Sequence, residues 1–297
     1  MLQPDDVTRH GQVIALIPTE KTERSANVNQ QFIRSSAAIQ TIAIACMLGM
    51  AGTSIAQDDS TDLAKAAQNP LASMISLPFQ NNSNFDYGPE GGTQNILNIQ
   101  PVWPFKLNDD WNFVTRTILP VVSVPAFSPG DSRTTGLGDT TFTGWFSPSA
   151  ASKWIWGVGP VLVLPTSTDD ELGTGEWSAG ASVVVLTMPG KWVLGSLVSN
   201  VWNVSGSEDV NFFTWQPIIN YNLSDGWYLA SVPIITANWE ADSDQRWTVP
   251  IGAGVGKIFR IGKRPINMSG HVYYNAIKPD IVGDWTLRIQ FQLMYPR

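Results

Sequence analysis

Past residue 56 the chain has one histidine, His271, and it shares an alternating run with Asn267, Ser269 and Asn275, opposite Ile266, Met268, Val272 and Tyr274. Serine, histidine and asparagine are the side-chain types of a hydrolytic triad, so acyl transfer is the first chemistry these residues raise. No nucleophile motif accompanies the serine, and a hydrolase working on lipid would need the set on the apolar face instead. The four residues therefore read as polar side chains lining an interior, and no enzyme is expected. The run Gly252, Ala253, Gly254, Val255, Gly256, Lys257 resembles a phosphate loop only superficially: Ile251 stands where its first glycine belongs, and Ile258 where Ser or Thr should follow. Alternate glycines on a strand relieve crowding or let a wall bend. With a single His and no Cys beyond residue 56, a His or Cys metal cluster lacks ligands, and no cofactor is expected.

The elements that carry these residues repeat about every dozen positions. In the last of them, Trp285, Leu287, Ile289, Phe291 and Leu293 fall on one face, and Thr286, Arg288, Gln290 and Gln292 on the other. One face suits lipid and the other water, the pattern of a transmembrane barrel strand. Segments of this kind run at 74–88, 94–107, 111–124, 137–147, 153–166, 176–188, 191–204, 210–222, 226–239, 245–260, 264–277 and 285–296. Each exceeds the roughly 9 to 11 residues a tilted strand needs to cross, and no apolar stretch of helical spanning length follows residue 56. The fold class is all-β: a transmembrane antiparallel up-and-down β-barrel of about 12 strands over 74–297.

Connections alternate in kind. Those near 108–110, 147–152, 188–190, 224–226 and 262–263 are compact, whereas those near 127–135, 168–175, 205–209, 241–246 and 278–284 are longer and acidic. Barrels of this class carry short turns toward the periplasm and long loops outside, which places the chain in the bacterial outer membrane with its acidic loops outward. Trp111, Trp154, Trp192 and Trp227 then mark one interface, and Trp177, Trp202, Trp239, Trp247 and Trp285 the other. Pro101, Pro104, Pro120, Pro160, Pro217, Pro233 and Pro250 fall inside the strands, where each removes a ladder donor, so bulges or breaks are expected there.

Alternation turns Asn98, Gln100, Arg116, Asp139, Gln216, Asn220, Asn267, Ser269, His271, Arg288, Gln290 and Gln292 toward the lumen. An Arg facing lipid near the midplane costs about 2 to 4 kcal/mol, so Arg116 and Arg288 belong inside. Two roles stand for them: a constriction that orients anionic or polar solute groups, or a structural pairing with Asp139.

Ahead of the barrel, Arg24 and Arg34 precede the apolar run 37–50, which leads into Ser54, Ile55 and Ala56. That order is a secretory signal, so 1–56 reads as a leader with a cleaved signal peptide, taking Cys46 with it. What remains has 14 basic and 21 acidic residues and no basic stripe, which argues against nucleic-acid binding. Residues 57–73 form a periplasmic N-terminal segment or plug; 62–67 can make a turn or two of helix, with a loose tail the plainer reading.

The stretches NILNIQPVWPF, DDWNFVTRTILPVV, GLGDTTFTGWFSP, IWGVGPVLVLPT, FTWQPIINY and DWTLRIQFQLMYP resemble a bacterial outer-membrane barrel family labelled for meta-pathway phenol degradation or transport, some members of which are mislabelled neuromedin U. The resemblance implies an outer-membrane channel or uptake protein for small molecules, aromatic ones among them, surrounded by lipid and lipopolysaccharide and inserted by the barrel-assembly machinery. The alternative is a closed envelope barrel with a structural or surface-binding role. One departure from the barrel pattern is the end of the chain, where Pro296 and Arg297 follow Tyr295 in place of a terminal aromatic residue.

Overall fold

The computed structural model describes residues 57–150, 152–206 and 209–296. The leader and cleavage site expected within 1–56 lie outside the described residues. The described chain opens with helix α1 (Gln57–Gln68), longer than the turn or two expected and docked, not loose. Leu63, Ala64, Ala66 and Ala67 form a small-residue stripe that rests on Met74, Tyr228, Ala230, Ile258 and Met294. A helix this short is marginal in water, so packing holds it. Asn69 and Pro70 end it: the Asn69 side chain accepts the Leu71 N–H at 2.9 Å, turning the chain toward the first strand.

Fifteen strand segments follow: β1 (Ile75–Tyr87), β2 (Gly92–Ile99), β3 (Val102–Lys106), β4 (Trp111–Val124), β5 (Thr134–Leu137), β6 (Thr140–Pro148), β7 (Ile155–Leu164), β8 (Trp177–Thr187), β9 (Trp192–Ser205), β10 (Asn211–Asn222), β11 (Trp227–Ser231), β12 (Ile235–Asn238), β13 (Trp247–Ile261), β14 (Arg264–Ile277) and β15 (Trp285–Tyr295). Three pairs are single staves with a break: β2 with β3, β5 with β6, and β11 with β12. That leaves twelve antiparallel staves, the number the sequence spacing predicts. The ring closes where β1 meets β15, with Ile75 opposite Tyr295 and Phe85 opposite Trp285. The barrel leaves no sheet edge, so every stave has two neighbours for its N–H and C=O groups.

The breaks fall where prolines withhold donors. Pro101 lies between β2 and β3, and Pro233 between β11 and β12. The third break, at Gly138 and Asp139, contains no proline but faces Pro120, whose carbonyl accepts the Gly138 N–H at 2.9 Å. Pro217 faces the β11/β12 break, and Pro250 sits at a register shift against β14. Pro104 and Pro160 stay within strands. Stave continuity thus yields where the ladder loses an N–H, and pairing resumes on either side.

Outward-facing side chains are apolar along the strands: Val158, Leu162, Val183, Ile219, Leu229, Ile251, Val272 and Ile289 are all exposed. Trp103, Trp111, Trp154 and Trp192 ring the rim where β1 begins, here the near rim. Trp177, Trp202, Trp239 and Trp285 ring the far rim. Trp227 and Trp247 are half-buried. An apolar belt between two aromatic girdles is the outer surface of a barrel that spans lipid. Near-rim turns are tight: Trp227 N–H bonds the Ser224 carbonyl around Asp225 and Gly226, both at positive φ (56° and 74°), which matches strand twist in a two-residue hairpin.

Candidate functional site

Inside the barrel, the strand register sets polar side chains in rows across β14, β15 and β1. Asn82, Arg288 and His271 stand opposite one another in one row, Gln80, Gln290 and Ser269 in the next, and Gln292 with Asn267 in the third. The Arg288 Nε donates to the Asn82 side-chain oxygen at 2.8 Å, and one terminal nitrogen donates to the Val232 carbonyl at 2.8 Å, exposed by the β11/β12 break. Its guanidinium lies 4.9 Å from the Tyr273 ring. Tyr228 donates to Asn267 at 2.8 Å, and Asn267 donates to Gln292 at 3.0 Å. The glycine run supplies the room for this network. A Cβ at Gly254 would strike the His271 ring, and one at Gly256 the Tyr228 phenol.

His271 and Ser269 do touch, at 3.1 Å, but the pair lacks the rest of a hydrolytic site. The other imidazole nitrogen meets the Tyr273 hydroxyl at 3.3 Å, where a triad places a carboxylate or amide. Strand β14 is paired on both sides through Ser269, so its N–H groups are engaged in ladders and none is free to hold an oxyanion. Asn275, the fourth residue of the alternating run, donates to the Gly283 carbonyl at 2.7 Å, toward the far rim.

The opposite sector of the inner wall is not polar. Val114, Trp145, Val184, Leu186, Val193, Leu197 and Ile218 form a buried apolar cluster on β4, β6, β8, β9 and β10, covered in part by Leu71 from the segment after α1. Trp145 is fully buried and donates to Ser182 at 3.1 Å. Tryptophan is easily read as rim, yet Trp145 shares the parity of Thr143 and Ser147, both buried, and that parity is the sign that it turns inward. Above it stands Arg116, its guanidinium 5.2 Å from the indole.

A cavity of about 170 Å³ lies between the two sectors. Gln100, Arg116, Gln216, Asn220, Asn267, Ser269, His271, Arg288, Gln290 and Gln292 border it, together with Leu197, Ile218 and Val232. Ala66, Ala67 and Gln68 of α1 close its near end, where the Gln68 amide donates to Asn222 at 2.9 Å.

Two of the residues expected in the lumen do not border the cavity. Asn98 is half-buried in β2, paired with Gln80 and Pro120. Asp139 is not paired with Arg116. Its carboxylate accepts from Ser167 N–H at 3.1 Å, Thr174 N–H at 2.7 Å, the Thr174 hydroxyl at 3.1 Å and Gly175 N–H at 3.1 Å. The β5/β6 break swings this carboxylate up to the β7–β8 loop, which wins it with backbone donors. The same loop inserts Leu172 against Val122 and Val124 inside the far rim, with Tyr87, Ile96 and Phe127 alongside. Ala66, Ala67 and Gln68, at the near end, lie in the 57–73 segment that the sequence offered as a plug, whereas Leu172 was not among the sequence candidates.

No protein-family model matches the chain, and no curated protein matches it. Solved structures do. An outer-membrane channel from Pseudomonas putida F1 superposes with a TM-score of 0.60 at 18% identity, covering 76% of this chain and 97% of that one. A FadL homologue from Pseudomonas aeruginosa gives a TM-score of 0.42 at 10% identity over 77% and 93%. Outer-membrane phospholipase A from Escherichia coli gives 0.40 at 13% identity over 80% and 97%. The first likeness shows a shared outer-membrane barrel fold, and the other two decide nothing between transport and catalysis.

Proposed function

We propose that the protein is an outer-membrane channel that admits small molecules, with aromatic compounds among the candidates. The observation that carries this reading is the interior cavity of about 170 Å³, lined by amides and by two guanidinium groups, in a barrel whose outer belt is apolar. A barrel that served only as a wall would gain stability by filling its interior, since a polar group left without a partner costs about 1 to 3 kcal/mol. Helix α1 is the plug: it narrows the near end, taken as periplasmic, while the Leu172 loop narrows the outer mouth. The likeness to the Pseudomonas putida channel supports the fold this reading needs.

The test is single-channel recording in planar bilayers. The full chain should give small, discrete conductance steps. A variant lacking residues 57–73 but keeping the leader should give larger ones, because α1 rests on alanines and breaking that contact costs less than opening barrel ladders. If neither protein conducts, and neither swells liposomes with small neutral or aromatic solutes while remaining heat-modifiable, the protein is a closed structural barrel instead.

A further inference from the structure

Arg116 and Arg288 border one cavity, and neither has a carboxylate partner among the described residues. Arg116 is the sharper case. Its buried Nε has no hydrogen-bond partner among the described residues, and its guanidinium lies over the indole of Trp145. Arg288 is held by Asn82 and Val232, which use its Nε and one terminal nitrogen and leave the other terminal nitrogen without an acceptor. Asp139, the acid whose parity could have neutralised them, is spent on the β7–β8 loop.

Two cationic groups on the wall of one cavity favour an anion there, and no carboxylate among the described residues pairs with either. We infer that the counterion is the carboxylate of a small organic acid, bound in the cavity by Arg116 and Arg288; the inference rests on the channel reading and specifies the solute class. A guanidinium fork matches a planar carboxylate by two parallel hydrogen bonds. The amides of Gln100, Gln216 and Gln290 border the same space and add neutral donors. What favours an organic acid over a bare inorganic ion is the wall nearby: Leu197 and Ile218 belong to the apolar sector and border the cavity as well, so a hydrocarbon body attached to the carboxylate has a surface to cover.

The experiment is equilibrium dialysis of the full-length protein in lipid nanodiscs against radiolabelled benzoate, with benzamide as the uncharged isostere and empty nanodiscs as background. Benzoate should bind about tenfold or more tightly than benzamide, the ratio a charge-assisted hydrogen bond supports. Arg116→Gln should weaken benzoate about tenfold and leave benzamide unchanged, with Arg288 holding the remaining preference. The Arg116 side chain makes no hydrogen bond among the described residues, so this variant should keep the barrel, as heat-modifiability will show. Arg288→Lys, which keeps charge but loses the fork, should weaken benzoate by a smaller factor. Equal binding of benzoate and benzamide, binding of neither, or benzoate binding untouched by Arg116→Gln overturns the inference. Displacement of benzoate by chloride or phosphate at equal concentration also overturns it, because the site would then take any anion. Benzoate binding in a protein that does not conduct sinks the channel reading alone, and conductance without benzoate binding sinks this inference alone.

Discussion

Arg116 is an expensive residue to keep where it is. Its buried Nε finds no acceptor, and cation–π attraction to Trp145 offsets only part of the cost of leaving water. Arg116→Met is therefore expected to stabilise the barrel by about 1 to 3 kcal/mol, read as a higher midpoint of urea unfolding in lipid vesicles. A lower midpoint would mean that the guanidinium holds the wall together and is not retained for a solute. Arg288 should behave oppositely. Arg288→Met strands the Asn82 oxygen and the Val232 carbonyl, so it should lower the same midpoint by about 1 to 3 kcal/mol. The two substitutions are alike in chemistry and differ in sign because, among the described residues, the Arg288 side chain has protein acceptors and that of Arg116 does not.

Among the elements, the β7–β8 loop is tied to the β5/β6 stave by the bonds of Thr166 and Thr168 and by one charged side chain, Asp139. Asp139 accepts four hydrogen bonds from Ser167, Thr174 and Gly175, and through them keeps Leu172 against Val122 and Val124. Charge-assisted bonds of this kind contribute about 1.5 to 3 kcal/mol each, though not additively. Asp139→Ala should raise amide exchange at Ser167, Thr174 and Gly175 by about tenfold or more, while exchange in the β8 and β9 ladders stays slow. On the channel reading, the same variant should give larger conductance steps in bilayers than the full chain. Unchanged exchange at those three amides would show that Leu172 packing and the Thr166 and Thr168 bonds hold the loop without Asp139. Helix α1 is held by alanine packing and the Gln68–Asn222 bond.

At the scale of the whole molecule, the barrel must meet lipid with one face and water with the other. Val183 faces outward near the middle of β8, so Val183→Arg should cost about 2 to 4 kcal/mol in vesicle unfolding. A negligible cost would place β8 away from the midplane. Orientation is a separate question, answered by cysteines placed in a chain that has none beyond residue 56. A cysteine at Asp170 or Asp242 should react with an impermeant thiol reagent on intact cells, and one at Asn108 or Ser224 should not. The reverse pattern would turn the acidic loops toward the periplasm.

Strand number, the two faces of each strand and the rim positions of most tryptophans were legible in the sequence, because alternation and turn chemistry are local and a barrel strand repeats them at a fixed interval. The prolines likewise marked where pairing would fail, since a missing N–H is a property of one residue. Partner choice was not local. Asp139 shares inward parity with Arg116, and only the closed ring shows that a loop some 35 positions further on has captured it. Trp145 and Leu71 lie far apart in the chain, and the apolar sector they share exists only once β4, β6, β8, β9 and β10 stand side by side. Period-two patterning determines which way a side chain points, whereas what it meets there depends on register between staves and on curvature, which are set by the closure of the whole barrel.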